Sequence, residues 1–371
     1  MGQKREAGPK GPKREAGPKG PKREAGPKGL KREAGPKGLH PAVAAVRLGV
    51  RRSLTGLTNL ETSPDGPLVL VACSGGPDSL ALAAAVAFEA PRLGVRAGAV
   101  TVDHGLQEGS AEQASRVAAA LRGLGLDPVA SVRADVARRG AAGQYPGPEA
   151  AARNARYAVI EAAAVELGAT AVLLGHTMDD QAETVLLGLA RGSGARSLAG
   201  MAGASGRYLR PLLGLRRAQT VAACAAQDLR PWDDPQNADD AFARTRVRRR
   251  ILPLMEELLG PGVTEALART ADQLRADADA LDDAAAEAAD RLLAADGGMD
   301  VTALAVLPVA IRTRLLKRAA IAAGAPAGSL TAGHIAQLDA LVTAWHGQRW
   351  SDLPGGIRCV RRYGRLQFTT G

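Results

Sequence analysis

A short glycine-containing segment between an apolar run and an alanine-rich run constrains the fold of this chain more than any other feature. Residues 67–73 are rich in Val and Leu, which is typical of a strand buried on both faces. Residues 80–86 are mostly Ala and Leu and predict a helix, so residues 74–79 form a strand-to-helix turn. Its two glycines let the backbone approach a ligand closely, and Pro77 suits a first helical turn. Backbone N–H groups, two hydroxyls and the positive end of a helix dipole therefore meet at one point, as a phosphate site requires.

The order of residues in this turn separates it from two common nucleotide-binding loops. The Gly-Lys-Ser/Thr of a Walker loop is missing, and so is Gly-x-Gly-x-x-Gly. Ser-Gly-Gly-Pro-Asp-Ser resembles instead the pyrophosphate-binding loop of the N-type ATP pyrophosphatases, which cleave ATP to AMP and pyrophosphate. An ordinary turn capped by Ser and Gly is the alternative interpretation. The resemblance implies that ATP is held by Ser74, Gly75, Gly76, Pro77, Asp78 and Ser79.

Strand-like runs alternate with helical patterns after the first 39 residues. The predicted elements are strands at 96–102, 128–133 and 171–176 and helices at 40–58, 110–123 and 149–167. This alternation predicts an α/β fold in which a parallel sheet is covered by helices on both faces. Ligands of such sheets bind beyond the carboxyl ends of the strands, where Ser74, Asp103 and His176 fall.

Changes in composition divide the chain into three predicted parts. Residues 1–39 contain four tandem nonapeptides rich in Gly, Pro and Lys, and we expect them to be disordered. Residues 40–253 carry the α/β pattern and are the predicted ATP-binding catalytic domain. Residues 254–371 are predicted to form a second, mostly helical domain that ends in a hairpin turning at Tyr363 and Gly364.

The formal net charge of +10 is unevenly distributed. Residues 1–39 hold 12 Lys and Arg against 4 Glu, a net +8, so the rest of the chain carries 10 − 8 = +2. The basic tail is either a flexible arm for RNA phosphates or a repeat expansion without a role, and its composition favours the second. The arginines of the terminal hairpin would face RNA or simply be solvated; they are Arg358, Arg361, Arg362 and Arg365.

The spacing of the cysteines and the lengths of the apolar runs argue against several classes of protein. The three cysteines form no Cys-x-x-Cys pair, which argues against a disulfide framework and against a zinc or iron–sulfur site. No apolar run approaches the roughly 20 residues that span a bilayer, and no signal peptide is recognisable. We therefore expect a cytoplasmic protein without a membrane partner.

A second polar segment follows the predicted strand at 171–176. Asp179 and Asp180 would lie in the first turn of a helix, where acids complement the dipole, and Glu183 would share one side with Asp179. Carboxylates beside a phosphate site indicate Mg²⁺, with Asp78 and Asp179 as candidate ligands. The alternative is an acidic turn that only caps the helix.

Five motifs together indicate one family. They are Ser-Gly-Gly-Pro-Asp-Ser at 74–79, Val-Asp-His-Gly-Leu at 102–106, Glu-Ala-Ala-Ala-Arg-Asn-Ala-Arg-Tyr at 149–157, Gly-His-Thr-Met-Asp-Asp-Gln-Ala-Glu-Thr at 175–184 and Arg-Gly-Ser-Gly at 191–194. In this order they resemble the tRNA(Ile)-lysidine synthetase family, densely over residues 65–255 and loosely thereafter. The resemblance implies that the helical domain at 254–371 binds substrate or tRNA.

The resemblance implies a particular ligase reaction and its partners. ATP would adenylate the C2 carbonyl oxygen of the wobble cytidine in a CAU anticodon, and the ε-amine of L-lysine would displace AMP to give lysidine. A homodimer is allowed. The implied catalytic residues are Asp78, His104, His176, Asp179, Asp180 and Glu183. The implied contacts to tRNA or the adenylate are Arg153, Arg156, Arg191, Arg244, Arg246 and Arg248. Whether Asp179, Asp180 and Glu183 would hold a metal or the cationic lysine stays open.

Two other functions share parts of this pattern. A tRNA cytidine thiolase would use the same phosphate loop, but it would be expected to need paired cysteines. A non-catalytic tRNA-binding protein would keep the fold without the activity, although the intact loop and acidic segment argue against it.

Overall fold

The computed structural model describes residues 38–57, 66–103, 105, 109–134, 148–192, 194–233, 239–293 and 298–370, with side chains omitted at 148–152. Residues 39–371 form one compact unit. The predicted tail lies almost entirely outside the described residues. None of the helices in the described stretches combines the length and apolarity that a membrane crossing needs.

A six-stranded sheet organises the first part of the described chain. Its strands are β1 (Leu68–Ala72), β2 (Arg96–Asp103), β3 (Val129–Arg133), β4 (Ala171–Leu174), β5 (Ala204–Ser205) and β6 (Tyr208–Leu209). The strand order is β3-β2-β1-β4-β6-β5, parallel except for the short β5–β6 pair. The predicted strands at 96–102, 128–133 and 171–176 are confirmed to within two residues at each end.

Helices cover both faces of this sheet. The helices of this part of the chain are α1 (Pro41–Thr55), α2 (Pro77–Glu89), α3 (Ser110–Gly123), α4 (Pro148–Glu166), α5 (Met178–Ala190), α6 (Ala195–Leu198), α7 (Arg217–Ala225), α8 (Ala243–Arg246), α9 (Leu252–Leu259) and α10 (Val263–Leu292). Val69 and Val71 of β1 pack in a core with α1, α2, α3 and α7, whereas Leu68 and Leu70 pack in a second core with α4. This alternation follows from the two-residue period of a strand and explains why β1 is apolar throughout. The predicted α/β architecture is confirmed.

The long helix α10 joins the sheet region to the C-terminal region, because it packs against α5 and also against the helix Val309–Ala322. The Glu256 carboxylate fixes its start by accepting hydrogen bonds from the N–H groups of Gly262, Val263 and Thr264 and from the Thr264 hydroxyl. These bonds, led by the one from the Thr264 N–H, lower the pKa of Glu256 to about 2.

The C-terminal region contains more strand than the sequence predicts. It consists of β7 (Met299–Asp300), α11 (Val301–Ala305), α12 (Val309–Ala322), α13 (Ala332–Thr343), β8 (Trp350–Leu353), β9 (Ile357–Arg362) and β10 (Arg365–Thr370). The predicted hairpin is confirmed, because Tyr363 and Gly364 both have positive φ between β9 and β10, as a two-residue turn requires. Strands β7 and β8 extend it to a four-stranded antiparallel sheet of order β7-β10-β9-β8.

Candidate active site

The turn between β1 and α2 forms a compact loop at the carboxyl edge of the sheet. Within it the Ser79 hydroxyl donates to the Gly76 carbonyl over 3.0 Å and lies 3.4 Å from the Ser74 hydroxyl. The backbone N–H of Trp232 donates a hydrogen bond to the Gly75 carbonyl, so a later segment of the chain holds the loop in place. Ser79 is buried, whereas Ser74 is exposed at the mouth of the loop. Gly76 supplies no side-chain cap to α2, so the N-terminal N–H groups of the helix are available to an anion.

Gly75 is required by the backbone of this loop. Its φ is +87°, and a β-carbon at this position would lie 2.6 Å from Val117 Cγ2 of α3. A side chain is therefore excluded both by the backbone conformation and by the neighbouring helix. The glycine allows the loop to lie directly against α3.

The strand β4 brings a second polar segment to the same place. β1 and β4 are adjacent parallel strands, and Gly175 comes so close to α2 that a β-carbon there would lie 3.0 Å from the Ser79 nitrogen and Cα. Helix α5 then begins at Met178 with Thr177 as its N-cap. The N-termini of α2 and α5 consequently lie side by side, as predicted from the strand ends.

Three carboxylates and three arginines form a partly buried ion network beside the loop. We call this the acid–arginine network; its members are Asp78, Asp180, Glu183, Arg217, Arg244 and Arg248. Arg217 Nε donates to Asp78 over 3.0 Å and its Nη2 donates to Asp180 over 2.9 Å. Arg248 is bidentate on Glu183, at 2.6 and 2.9 Å, and Glu183 itself is fully buried. The formal charges of the network balance.

Arg244 and Arg248 reach this network from an unusual element. A π-helical turn, Val247–Ile251, separates α8 from α9 and carries Arg248, while Arg244 lies in α8. Arg244 lies 3.6 Å from Glu183 and donates to the Thr184 hydroxyl over 3.2 Å. π-Helical turns are frequent at functional sites, and this one places the Arg248 guanidinium against α5, beside that of Arg244 from α8.

Asp179 lies next to the network but has a separate role. Its carboxylate accepts the Arg217 backbone N–H over 2.7 Å and lies 3.5 Å from Arg216 Nε. It therefore joins the start of α5 to the start of α7. Arg216 also contacts Glu265 at 2.8 Å, which ties the site to α10.

Burial and ion pairing compete in setting the protonation of these acids. Burial raises the pKa of Asp78 and of Glu183, against the opposing pull of Arg217 and Arg248 respectively. Burial acts in the same direction on Asp180, but the charge of Arg217 and the Thr177 N–H outweigh it and lower the pKa of Asp180. The acids therefore depend on their arginine partners to remain ionised.

The carboxylates of this site do not by themselves form a metal-binding site. Asp78 and Asp179, the candidate metal ligands, already accept hydrogen bonds from the side chain and the backbone of Arg217. In the stretches that the structure describes, no group of three or more His, Cys, Asp or Glu has metal-binding geometry. The residues present thus fit an ion network and do not fit a metal centre built from protein ligands alone.

Three arginines with little counter-charge lie near His176, and a fourth, Arg244, which pairs with Glu183, lies near Arg156. We call Arg153, Arg156, Arg210 and Arg244 the arginine cluster. Within the described residues, Arg153, Arg156 and Arg210 have no carboxylate at ion-pairing distance. Burial lowers the pKa of Arg156; Tyr157 opposes this shift, whereas Arg153 and Arg244 add to it. The half-buried guanidinium groups of Arg153, Arg156 and Arg210, which lack a carboxylate partner among the described residues, are suited to binding an anion.

His176 lies among these arginines as a neutral imidazole. Burial is the main reason that its pKa falls to about 3; Asp180 opposes the shift, while Arg210, Arg153 and Arg156 add to it. Its Nδ1 is buried without a hydrogen-bond partner in the described part of the chain. At neutral pH this nitrogen is available to a ligand, and the ring is uncharged.

The remaining residues predicted from the sequence lie away from this site or outside the described stretches. Arg191 is the exposed C-cap of α5, about 18 Å along the helix from Asp179. Arg246 is exposed at the end of α8 and donates hydrogen bonds to the carbonyls of Asp240 and Ala241, which precede that helix. His104 lies outside the described residues.

Sequence reasoning missed the contribution of α7. Arg217 contacts Asp78, Asp180 and Glu183, and the Thr220 hydroxyl donates to Asp78. One signal was available: Arg216 and Arg217 stand at the beginning of a helix, where cations oppose the dipole. Such a pair needs nearby acids, and the acidic segment at 178–183 provides them.

The fold and the loop define this chain as an α/β protein of the PP-loop class. The family model described as PP-loop domain matches residues 50–255, and the one described as TilS substrate binding domain matches residues 299–367. The solved structure of the U34-tRNA thiolase NcsA from Methanococcus maripaludis with its [4Fe-4S] cluster has a TM-score of 0.51 and 17% identity, over 63% of this chain and 79% of that chain. At that identity the likeness shows the fold alone.

Sequence relatives identify the family. The chain is 60% identical to the tRNA(Ile)-lysidine synthase of Thermobifida fusca, over 88% of this chain and 97% of that protein. It is 55% identical to the tRNA(Ile)-lysidine synthase of Streptomyces coelicolor, over 90% of this chain and 99% of that protein. The chain belongs to the tRNA(Ile)-lysidine synthase family.

Proposed function

We propose that this chain ligates L-lysine to C2 of the wobble cytidine of a CAU-anticodon tRNA(Ile), using ATP and releasing AMP and pyrophosphate. The observation that carries the proposal is the placing of a phosphate loop, an arginine cluster and an acid–arginine network at one edge of the sheet. Family membership supplies the substrate class, because the relatives are named for lysidine formation on tRNA(Ile).

The phosphate loop would hold ATP. Ser74 and Ser79 offer hydroxyls, and the uncapped N-terminus of α2 offers backbone N–H groups to the phosphate oxygens. Asp78 is held by Arg217 and Thr220 beside this loop and would orient the nucleotide through them. Mg²⁺ would arrive bound to the phosphates of ATP.

The arginine cluster would bind the anionic groups of the reactants. Arg153, Arg156 and Arg244 would contact tRNA phosphate or the adenylate, and so stabilise charge that develops at phosphorus. His176, neutral with a free Nδ1, would accept a hydrogen bond in the same place. Arg248 is bound to Glu183, so we assign it a positioning role in place of a direct tRNA contact.

The acids of α5 would recognise lysine in preference to a metal. A lysine ammonium group compensates carboxylates as an arginine does, and it would take the place of one of the arginines that now pair with these acids. Asp180 and Glu183 are the residues that we assign to this role, and Asp179 supports them by joining α5 to α7.

The reaction then takes two balanced steps. The C2 carbonyl oxygen of the cytidine attacks the α-phosphorus of ATP, and pyrophosphate leaves with the electron pair of the broken P–O bond. The ε-amine of lysine next attacks C2 and loses a proton, and AMP leaves with the C2 oxygen. Both steps need positioning and charge stabilisation above all, which the loop and the arginines supply.

The division of labour between regions is also a proposal. We assign residues 40–253 to ATP binding and catalysis and 254–371 to substrate binding; the family matches at 50–255 and 299–367 support this division. A cytoplasmic location and a homodimer complete the proposal, and sedimentation velocity would test the dimer.

Incorporation of labelled lysine tests the proposed function. Purified full-length protein is incubated with labelled lysine and unmodified tRNA(Ile) bearing CAU, with and without ATP. We expect ATP-dependent label in this tRNA and none in the methionine tRNA, which has the same anticodon. An Asp78→Asn variant should lose at least roughly tenfold in rate while its affinity for tRNA stays within about twofold.

Three results would contradict the proposal. ATP cleavage without lysine incorporation would keep the phosphate loop but require another nucleophile. Binding of tRNA without ATP cleavage would leave a non-catalytic protein on this fold. Equal labelling of both tRNAs would remove the assigned specificity.

A further inference from the structure

The outer side of α9 carries an apolar stripe that is open to solvent in the described part of the chain. Ile251, Leu254 and Leu258 are 44%, 52% and 70% exposed. Their spacing of three and four residues places them on one side of a helix. The opposite side is covered, because Leu252 packs in a small core with Ala182 of α5. Contiguous exposed apolar residues on a polar surface are typical of an interaction site.

Both ends of α9 are anchored, so the stripe is held in a fixed position. At the N-terminal end the π-helical turn Val247–Ile251 runs directly into α9 and carries Arg248, which is bidentate on Glu183. Near the C-terminal end Glu256 accepts hydrogen bonds from the N–H groups at the start of α10. A surface that is already ordered loses little conformational entropy on association. The geometry therefore suits a partner that docks on a preformed helix face.

Two opposite charges lie along one flank of the stripe. Arg250 and Glu257 are seven residues apart, which puts them about two turns apart on the same flank of the helix. The Arg250 side chain is 68% exposed although it pairs with Asp240. Glu257 is exposed and has no ion pair with another residue of the described stretches. Both charges are therefore accessible to a partner that covers the stripe.

This order of charges is complementary to itself in one orientation only. When two helices pair antiparallel about a twofold axis, equivalent flanks face each other, so Arg250 of one copy lies opposite Glu257 of the other, and this contact occurs twice. A parallel pair would instead set both charges against the other flank, which carries Met255 and Leu259. Leu254 lies midway between the two charges, where the axis would bring two apolar side chains together. The pattern thus favours a second copy of this chain as the partner.

We propose that α9 forms the interface of a homodimer, in which the apolar stripes of two copies pack antiparallel across a twofold axis. Arg250 of each copy pairs with Glu257 of the other. This inference rests on the homodimer of the proposed function and names the surface that forms it. One short helix from each copy covers less than the roughly 800 Å² per partner of a standard interface, so we expect a Kd in roughly the micromolar range.

The test measures self-association of full-length variants. Sedimentation velocity from about 0.5 to about 50 µM brackets the expected Kd. Leu254→Asp places two like charges at the twofold axis. Leu48→Asp is the matched control, because Leu48 is 43% exposed on α1, a helix that packs against α2 and α7. Glu257→Arg and the double variant Arg250→Glu/Glu257→Arg test the charge pairing.

The expected results distinguish this interface from a general effect of surface charge. Leu254→Asp should weaken the dimer at least about tenfold, whereas Leu48→Asp should stay within about twofold of wild type. Glu257→Arg should weaken it about tenfold, and the double variant, which restores opposite charges, should return to within about threefold of wild type. Lysine incorporation by Leu254→Asp should keep its kcat within about threefold, because the residues of the candidate active site come from one chain.

Contrary outcomes show which idea has failed. If the wild type ligates lysine but stays monomeric at all concentrations, the α9 interface is wrong and the ligase assignment stands. A dimer that is unaffected by both Leu254→Asp and Glu257→Arg forms through another surface and overturns the inference. So does a loss of tRNA affinity by Leu254→Asp at unchanged self-association, since α9 would then contact RNA. A dimeric wild type that ligates no lysine would refute the proposed function and leave the interface intact. Should Leu254→Asp not fold, the charge reversal and its double variant decide the question.

Discussion

Arg217 contacts three carboxylates that lie on two different helices. Asp78 belongs to α2, and Asp180 and Glu183 belong to α5, so this one guanidinium joins the phosphate loop to the acidic helix. Burial alone would lower the pKa of Arg217, but the three acids outweigh it and raise that pKa. Arg217 therefore helps all three of these carboxylates to remain ionised.

Removing Arg217 should cost more than removing its neighbour in sequence. Arg217→Ala leaves buried carboxylates unpaired, and we expect it to destabilise the chain by about 3–5 kcal/mol. Arg216→Ala is the control, since Arg216 makes more exposed ion pairs with Asp179 and Glu265 and should cost about 1 kcal/mol or less. Urea denaturation at pH 7 measures both. Equal losses would contradict the role given to the network.

His176 predicts a specific dependence of stability on pH. Its pKa is about 3 in the folded chain and about 6.5 when unfolded, so between these values the unfolded state binds one more proton. This contribution to stability is present above about pH 6.5 and is lost as the pH falls towards 3. From pH 7 to pH 5 the loss should be about 2 kcal/mol, and His176→Asn should lack it.

The pH titration of unfolding free energy for the two proteins checks this expectation. The activity profile gives a second readout, because a neutral His176 produces no inflection in kcat/KM between about pH 5 and pH 8. Parallel stability curves for wild type and His176→Asn would show that the imidazole is not held neutral in the folded chain.

Among the secondary-structure elements, the site arises where helix N-termini meet. The first turns of α2, α5 and α7 converge, and Asp179 of α5 accepts the first N–H of α7. Strand periodicity and strand-to-helix turns in the sequence predict the first two of these helices. The position of the third helix, α7, is set by tertiary contacts. Only the folded chain shows that its Arg217 lies beside Asp78, 139 residues away in the sequence.

The two glycines of the phosphate loop should respond differently to the same substitution. Gly75→Ala would need a φ of +87° and a contact of 2.6 Å with Val117, so we expect a loss of about 1–3 kcal/mol and of ATP affinity. Gly76→Ala has φ −70° and a nearest neighbour at 3.8 Å, so stability should change by less than about 1 kcal/mol.

Thermal denaturation and nucleotide binding, measured on both glycine variants, separate the two cases. The comparison is matched because both changes add one methyl group to adjacent residues. Similar melting temperatures for Gly75→Ala and Gly76→Ala would mean that the loop is not held against α3 in solution.

Across the whole molecule, the sequence predicts the four parallel strands β1 to β4, the helices α1 to α5 and the terminal hairpin. These elements have strong local periodicity and turn residues such as Gly364. It does not predict β7 and β8, because two to four residues carry no readable period and their pairing is set by β9 and β10. Likewise, the acids of α5 are recognisable in the sequence, but their arginine partners come from later segments brought near by folding.

In the proposed mechanism the phosphate loop activates the tRNA before lysine attacks it. The decisive measurement omits lysine: the protein is incubated with CAU-anticodon tRNA(Ile) and ATP labelled at the α-phosphate, and label on the tRNA is followed. We predict that the tRNA acquires label with release of pyrophosphate, and that added lysine then discharges one AMP for each lysine incorporated. Unlabelled tRNA under conditions in which lysine is still ligated would contradict this mechanism, and so would label that reaches the tRNA only when ATP is labelled at the γ-phosphate.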